Sequence, residues 1–406
     1  MRKLFLSLIS IVMLTGLSIL AFGPSPVQAQ EGGEISILVP GYDGGYLKEE
    51  LDTAIADFEA EKGAKVKIIS VGWDELNSKI VQLAQANQSP DLLLIGSRSL
   101  RQFAEQGIIA PLDDYITPEF TEPRVESVFK TAEVNGQQYG VPMAFSSRGL
   151  YYRTDLIDQV PSNWDELLET ARKVKEENPN MYAFFFPIDG AGTSIELMSF
   201  FYQNEGYIFN DEGEYEVNNS ANVETLEYLK QFVDEGLVPN PLESPRDEAA
   251  KMFANGDLAM FFTGPWDKDV VDEKAEDHPY ATAKLPEGKV PAVNIATDDY
   301  VITKGAKNPD LAWEFIEFMG QEDYQRPVSE AFDWFPILKA EEGDERFQTD
   351  FLKPFAEVIE FGQPDPHTPN WDEFHKHFVL AIQEALTGNK TAQEALDEAQ
   401  KALSQN

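Results

Sequence analysis

The chain contains no cysteine, only 4 histidines, and 32 basic residues against 71 acidic ones. Without cysteine there are no disulfides, no thiolate metal sites and no nucleophilic thiol. A lipid-modified cysteine at the start of the mature chain is excluded as well. A formal net charge of −39 argues against nucleic acid and anionic membranes, which both need basic surfaces. The deficit does not predict disorder, because 42% of residues are hydrophobic and 12% aromatic. A well-solvated acidic surface is its simplest consequence.

Catalytic signatures are missing too. No Gly-x-Ser-x-Gly elbow, Gly-x-x-x-x-Gly-Lys-Ser/Thr phosphate loop or His-Glu-x-x-His zinc helix occurs. His375 and His377 stand two apart, a spacing that sends them to different faces of a helix, so a shared metal is not expected. Acidic pairs such as Asp113-Asp114 are frequent, but 71 carboxylates produce pairs by chance. Nothing marks two of them as a glycosidase acid and nucleophile.

One long apolar run is present. Arg2 and Lys3 precede an uncharged stretch from Leu4 to Phe22, followed by Pro24, Pro26 and the small-residue triplet Val27-Gln28-Ala29. This is the pattern of a signal peptide over residues 1–29, cleaved near Ala29. Cleavage leaves 30 basic and 71 acidic groups, a net charge of −41, on about 377 residues. That length suffices for two or three domains. The expected location is the periplasm.

Strands and helices alternate along the mature chain. Glu34–Val39, Val66–Val71 and Asp91–Ile95 read as strands, with helical spacing of Leu47, Leu51, Ile55 and Phe58 and a helix over Trp73–Ala86 between them. Such alternation predicts a parallel sheet covered on both faces by helices. Ligands of such sheets bind beyond the carboxyl ends of the strands. That rule selects the loops 40–45, 72–74 and 96–98. Near the C-terminus, a helical pair breaks at Thr387-Gly388-Asn389, with Thr391 and Glu394 spaced as a capping box.

The most informative segment is 253–266. Gly256-Asp257 leads into an apolar run, Leu258 to Phe262, which stops at Gly264-Pro265 and is followed by Trp266. A tryptophan on a loop just past a buried strand is well placed to meet a ligand. This arrangement resembles the extracellular solute-binding proteins of bacterial sugar ABC importers (family 1, maltose-binding-protein-like), in which such a tryptophan stacks on a sugar ring. The likeness extends along the chain through Gln88-Ser89-Pro90-Asp91, Gly107 to Asp114, Asn135-Gly136 with Tyr139 to Pro142, Gly149 to Asp155, Trp164 to Leu168, and Ala312 to Met319.

The resemblance implies an α/β fold of two lobes, the type II periplasmic-binding-protein fold. Each lobe is then a mainly parallel sheet flanked by helices, with the ligand in the inter-lobe cleft. It drafts the first lobe as residues 30–144 with 299–334 and the second as 145–298 with 335–406. Crossings follow near Phe145–Ser147, Thr297–Asp298 and Trp334–Pro336. Candidate ligand-binding residues are Tyr42, Asp43, Trp73, Ser97, Arg98, Arg148, Asp189, Thr193, Trp266, Asp267, Asp298, Asp299 and Trp334. The chain departs from the family pattern at Thr297 to Tyr300 and Phe332 to Pro336, which bring acidic and aromatic groups to the cleft. A monomer that delivers a sugar or polyol to permease subunits, with no cofactor and no chemistry, is the implied function. Alternatives are an exported polysaccharide hydrolase, a cationic-osmolyte binder and, from Tyr151-Tyr152, a ferric-ion binder.

Overall fold

The computed structural model describes residues 32–405 except 189–191, 211 and 241, and the side chains of 192–195 and 247 stand outside that description. The signal-peptide expectation therefore falls outside the described residues. Among those described, no helix is long and apolar enough to cross a membrane.

The first sheet is built from β1 (Glu34–Pro40), β2 (Lys65–Val71), β3 (Leu92–Gly96), β4 (Val141–Ser146) and, far along the chain, Ala296–Ile302. The order is β2-β1-β3, then Ala296–Ile302, then β4. Strands β1, β2 and β3 are parallel, as the alternating pattern predicts. The returning strand runs antiparallel to β3 and β4. Both faces are covered, which explains the unbroken Leu92-Leu93-Leu94-Ile95. Leu92 and Leu94 enter one core, with Ile37 and Val39, while Leu93 and Ile95 enter another, with Leu38.

A second sheet joins β5 (Gly149–Arg153) to β6 (Met260–Thr263) and β7 (Tyr280–Ala283), in the order β6-β5-β7. Here the expected parallel pairing gives way, because β5 is antiparallel to both neighbours. The reason is directional. Strand β5 starts where the chain leaves the first sheet and runs away from that boundary, while β6 runs back toward it. The returning strand Ala296–Ile302 is β8.

The chain changes sheet in very few residues. Ser147 and Arg148 alone separate β4 from β5. Val293–Asn294 pairs with Gly362–Gln363, and β8 begins at Ala296, which leaves Ile295 as the second crossing. This lies ahead of the expected Thr297–Asp298, because those residues already pair with Phe145 and Ala144 in the first sheet. The third is not at the expected Trp334–Pro336. Trp334 packs in the first-lobe core, and the Phe335 N–H donates to the Phe145 carbonyl at 2.8 Å. Beyond Pro336 the Ile337 carbonyl still accepts from the Val125 N–H at 2.9 Å, and the Lys339 N–H donates to the Pro123 carbonyl at 2.8 Å.

The largest core belongs to the second lobe and is phenylalanine-rich. Phe184, Phe200 and Phe232 meet Phe374 and Phe378 of the helix Trp371–Leu386 there. The run Phe184–Ile188 is buried but joins no named strand; Ala183 and Phe184 instead donate to the Leu237 carbonyl. The final helix, Ala392–Leu403, starts at the expected capping box. Thr391 Oγ1 accepts from the Glu394 N–H at 3.2 Å, and Glu394 Oε2 accepts from the Thr391 N–H at 3.0 Å.

Asp91 ties the returning segment to the first strands. Its carboxylate accepts from Ser36 N–H at 2.8 Å, Ser36 Oγ at 2.9 Å, Lys307 N–H at 2.7 Å and Asn308 N–H at 3.1 Å. Burial pushes this carboxyl up, but the donors from Ser36, Asn308 and Lys307 outweigh it and hold the pKa below the ordinary value. Asp91→Ala leaves buried N–H donors unpaired and should lower stability by on the order of 3 kcal/mol in urea unfolding. The charged form is the one stabilised. The difference from wild type is therefore full above about pH 4 and shrinks as acidification passes through the lowered pKa.

Candidate functional site

The cleft loops follow directly from strand ends. Strand β3 ends at Gly96, and Ser97–Ser99 makes one tight turn that opens the next helix. This turn folds the Arg98 guanidinium back over Gly96, where a Cβ would lie 2.4 Å from Nη1. In the other lobe β6 ends at Gly264-Pro265, and the Trp266 ring lies over Gly264, where a Cβ would stand 2.0 Å from Cζ3. Gly264 is needed for close approach: it lets the rigid indole rest against backbone with little freedom to lose. The Arg98 guanidinium, at the end of a flexible side chain, could move aside from a Cβ at position 96.

Around Trp266 the charges form one connected group. Arg148 donates from Nε to Glu196 Oε2 at 3.1 Å, from Nη2 to Glu196 Oε1 at 3.5 Å, and from Nη1 to the Asn294 carbonyl at 3.1 Å. Arg246 reaches Glu196 Oε1 at 3.5 Å. Both guanidinium carbons stand 5.6 Å from the Trp266 ring centroid, within cation–π range. Asn294 Nδ2 donates to Asp365 Oδ1 at 2.9 Å. Two polar atoms here are buried without a hydrogen-bond partner among the described residues: Trp266 Nε1 and Asn294 Oδ1.

Asp298 supplies the facing acid. Tyr46 Oη donates to its Oδ2 at 3.1 Å. Burial pushes the Asp298 carboxyl up to about 6; Arg98, the Tyr46 bond and Arg148 oppose the rise, while Asp365 adds to it. Tyr46 is itself enclosed by aromatic rings: Trp73 at 5.5 Å edge-on, Phe332 at 5.4 Å and Trp334 at 6.0 Å. Arg98 sits 5.9 Å from the Trp371 ring. A flat indole, guanidinium donors and a half-buried carboxyl suit a polar solute with an apolar face.

Of the residues singled out in the sequence, the structure groups Trp73, Arg98, Arg148, Trp266, Asp298 and Trp334 by these contacts. Ser97 is buried in the turn before Arg98. Asp267, beside Trp266, accepts from Thr263 Oγ1 at 2.5 Å. Tyr42 is held aside by helix residues, with Oη bonded to Asp52 and to Lys48 Nζ, the latter at 3.1 Å. Asp43 is exposed, and its N–H donates to Ser70 Oγ at 3.0 Å. Asp299 is a correction to the expected cleft-facing pair. The strand alternates faces, so Asp299 turns from Asp298 toward Gly140 and Ala132. There it is fully buried, and burial, then the Asp298 charge, push its carboxyl well up. Asp189 and the Thr193 side chain lie outside the described residues.

Sequence reasoning missed Tyr46, Glu196, Arg246, Asn294, Asp365 and Trp371. Glu196 did leave a signal, as the one charge in the otherwise uncharged helix Gly192–Gln203. Tyr46 shares the loop that supplied Tyr42. The others arrive from distant sequence and carry no local mark.

The Asp298 geometry fixes a pH effect. Above about pH 6 the carboxylate is charged in the folded and unfolded chain alike, and the folded form bears the burial penalty. Below about pH 4 both forms are neutral and the penalty vanishes. Asp298→Asn should therefore stabilise the empty protein by on the order of 2 kcal/mol at pH 7.5, with no gain at pH 4. Thermal melts of both chains across that range check it.

Known proteins agree with this architecture. Residues 44–326 match the family described as bacterial extracellular solute-binding protein. A binding protein of Brucella abortus is 29% identical over 93% of each chain. The galactooligosaccharide-binding protein of Bacillus subtilis is 24% identical over 94% of this chain and 92% of its own. An ABC transporter solute-binding protein of Thermotoga lettingae, solved with alpha-D-tagatose, superposes with a TM-score of 0.82 at 21% identity, covering 92% of this chain and 99% of its own. The match spans most of the chain, and the protein belongs to the bacterial extracellular solute-binding family.

Proposed function

We propose that the protein is the substrate-binding component of an ABC importer, taking a sugar or sugar-like polyol in its cleft and delivering it to membrane permease subunits. In this reading it is exported, its leader is cleaved near Ala29, and it works as a monomer that binds without transforming its solute. The observation that carries the reading is Trp266. Its indole is seated on Gly264, flanked by Arg148 and Arg246, and its Nε1 lacks a protein partner among the described residues. A pyranose presents a C–H face to such a ring and hydroxyls to the surrounding donors and acceptors. The names of the Bacillus subtilis and Thermotoga lettingae relatives, an oligosaccharide binder and a protein solved with a ketohexose, favour the same class.

The competing readings meet specific obstacles. A quaternary ammonium ligand on Trp266 would face two guanidinium groups 5.6 Å from the same ring. Iron held by adjacent tyrosines needs both on one side. Tyr151 is buried in one core and donates to the Gly264 carbonyl at 3.1 Å, while Tyr152 packs against another.

A thermal-shift screen over mono- and disaccharides, oligosaccharides, glycosylglycerols and betaine tests the proposal. A saccharide or polyol should raise the melting temperature and be recovered intact after prolonged incubation. New reducing ends would establish a hydrolase instead, and a response to betaine alone would establish an osmolyte binder. With the solute in hand, Trp266→Ala should weaken binding by at least about 2 kcal/mol, roughly thirtyfold, by calorimetric titration. Near-normal affinity in a variant that still folds would remove Trp266 from the site.

A further inference from the structure

Away from the crossings, the lobes touch at a second place. The helix Trp371–Leu386 belongs to the second-lobe core, yet its first turn bonds to first-lobe helices. Asp372 Oδ1 accepts from Asn77 Nδ2 at 2.9 Å, and Asp372 Oδ2 accepts from Gln102 Nε2 at 2.9 Å. The Asp372 N–H in turn donates to Gln102 Oε1 at 3.0 Å. One carboxylate thus collects an amide from each of two helices, Leu76–Gln85 and Leu100–Glu105. Beside it Arg101 Nη1 donates to the His367 carbonyl at 3.1 Å.

The donors are held ready on the first lobe. Ser99 Oγ donates to Asn77 Oδ1 at 3.2 Å, which turns the Asn77 amide N–H outward. Gln102 is 1% exposed, while Asp372 itself is exposed to solvent. The contact lies at the surface end of an inter-lobe seam. Its place along the sheet matters as well. The crossings leave from β4 and β8, whereas Asn77 follows β2, the strand at the opposite edge, and Gln102 follows β3, between the two. The Arg98–Trp371 contact, beside the candidate site, is the neighbouring link in the chain on both lobes.

We propose that Asp372 is a positioning residue for solute retention: its paired bonds to Asn77 and Gln102 latch the cleft shut on the side away from the crossings. The proposal rests on the reading of the cleft as a solute site. The latch touches no solute. It stabilises only the closed arrangement, so it slows release and leaves entry and the empty chain unaffected. Each bond joins a neutral amide to a carboxylate, and the site is exposed, so the two together are worth about tenfold in the release rate.

The absence of native cysteine makes the test clean. In the full mature chain, the pair Asn77→Cys with Asp372→Cys should cross-link under mild oxidation, as seen by altered gel mobility reversed by reductant. With maltose as the probe, stopped-flow tryptophan fluorescence should show release about tenfold faster from Asp372→Ala and an intermediate rate from Asp372→Asn, which keeps one acceptor. Association rate and empty-chain melting temperature should match wild type. A general structural role would lower the melting temperature and is thereby separated. A cysteine pair that stays reduced under oxidant, or an unchanged release rate in Asp372→Ala, overturns the latch. Failure of maltose to bind the wild-type chain excludes maltose as the solute and leaves the sugar reading to the thermal screen, and the cross-link then judges the latch by itself.

Discussion

A single buried arginine holds the parts of this molecule in register. Arg148 is 2% exposed and occupies the two-residue step between the sheets. Its guanidinium is held by Glu196 on a second-lobe helix and by the carbonyl of Asn294, one residue before the second crossing. Asn294 then reaches Asp365, whose charge is felt by Asp298 on the first sheet. Removal of one member of such a buried pair leaves an uncompensated charge, typically about 3–5 kcal/mol. The pair's value lies less in net stability than in geometry. It places Trp266 against two cations and ties that placement to the segments by which the chain crosses between the sheets.

The surrounding architecture amplifies this constraint. Short crossings concentrate backbone rotation in few residues, the usual anatomy of a hinge. Each lobe has its own aromatic core, and a third cluster spans the boundary, with Phe145 of β4 packed among Tyr151, Phe261 and Phe355. Two strand ends, one from each lobe, stop at glycines over which Arg98 and Trp266 are folded. Side chains held at strand ends of both lobes supply the candidate site. The acidic exterior takes no direct part in it, since the charged groups around Trp266 are largely neutralised among themselves.

Much of this was legible in the sequence, for physical reasons. Continuous apolar runs such as Leu92–Ile95 announce strands covered on both faces, and Thr391 with Glu394 announces a helix start, because both signals are local. Trp266 stood out since a turn after a buried strand is an unusual place for an indole. Distance-dependent features were hidden. The direction of β5 depends on where the chain leaves the first sheet, and local spacing does not record it. Asp298 and Asp299 look alike in sequence, but alternation puts one beside Tyr46 and the other in the core, without a hydrogen-bond partner among the described residues. Asp365 and Trp371 reach the site through tertiary folding alone.

On the proposed function, the lobes close over a solute by rotation where the chain crosses between them. Small-angle scattering of the mature chain, empty and saturated with the saccharide found in the thermal screen, tests it most directly. A smaller radius of gyration is expected in the saturated sample, reversed when the solute is removed by dialysis. An unchanged radius in a sample whose binding heat shows full occupancy would contradict it.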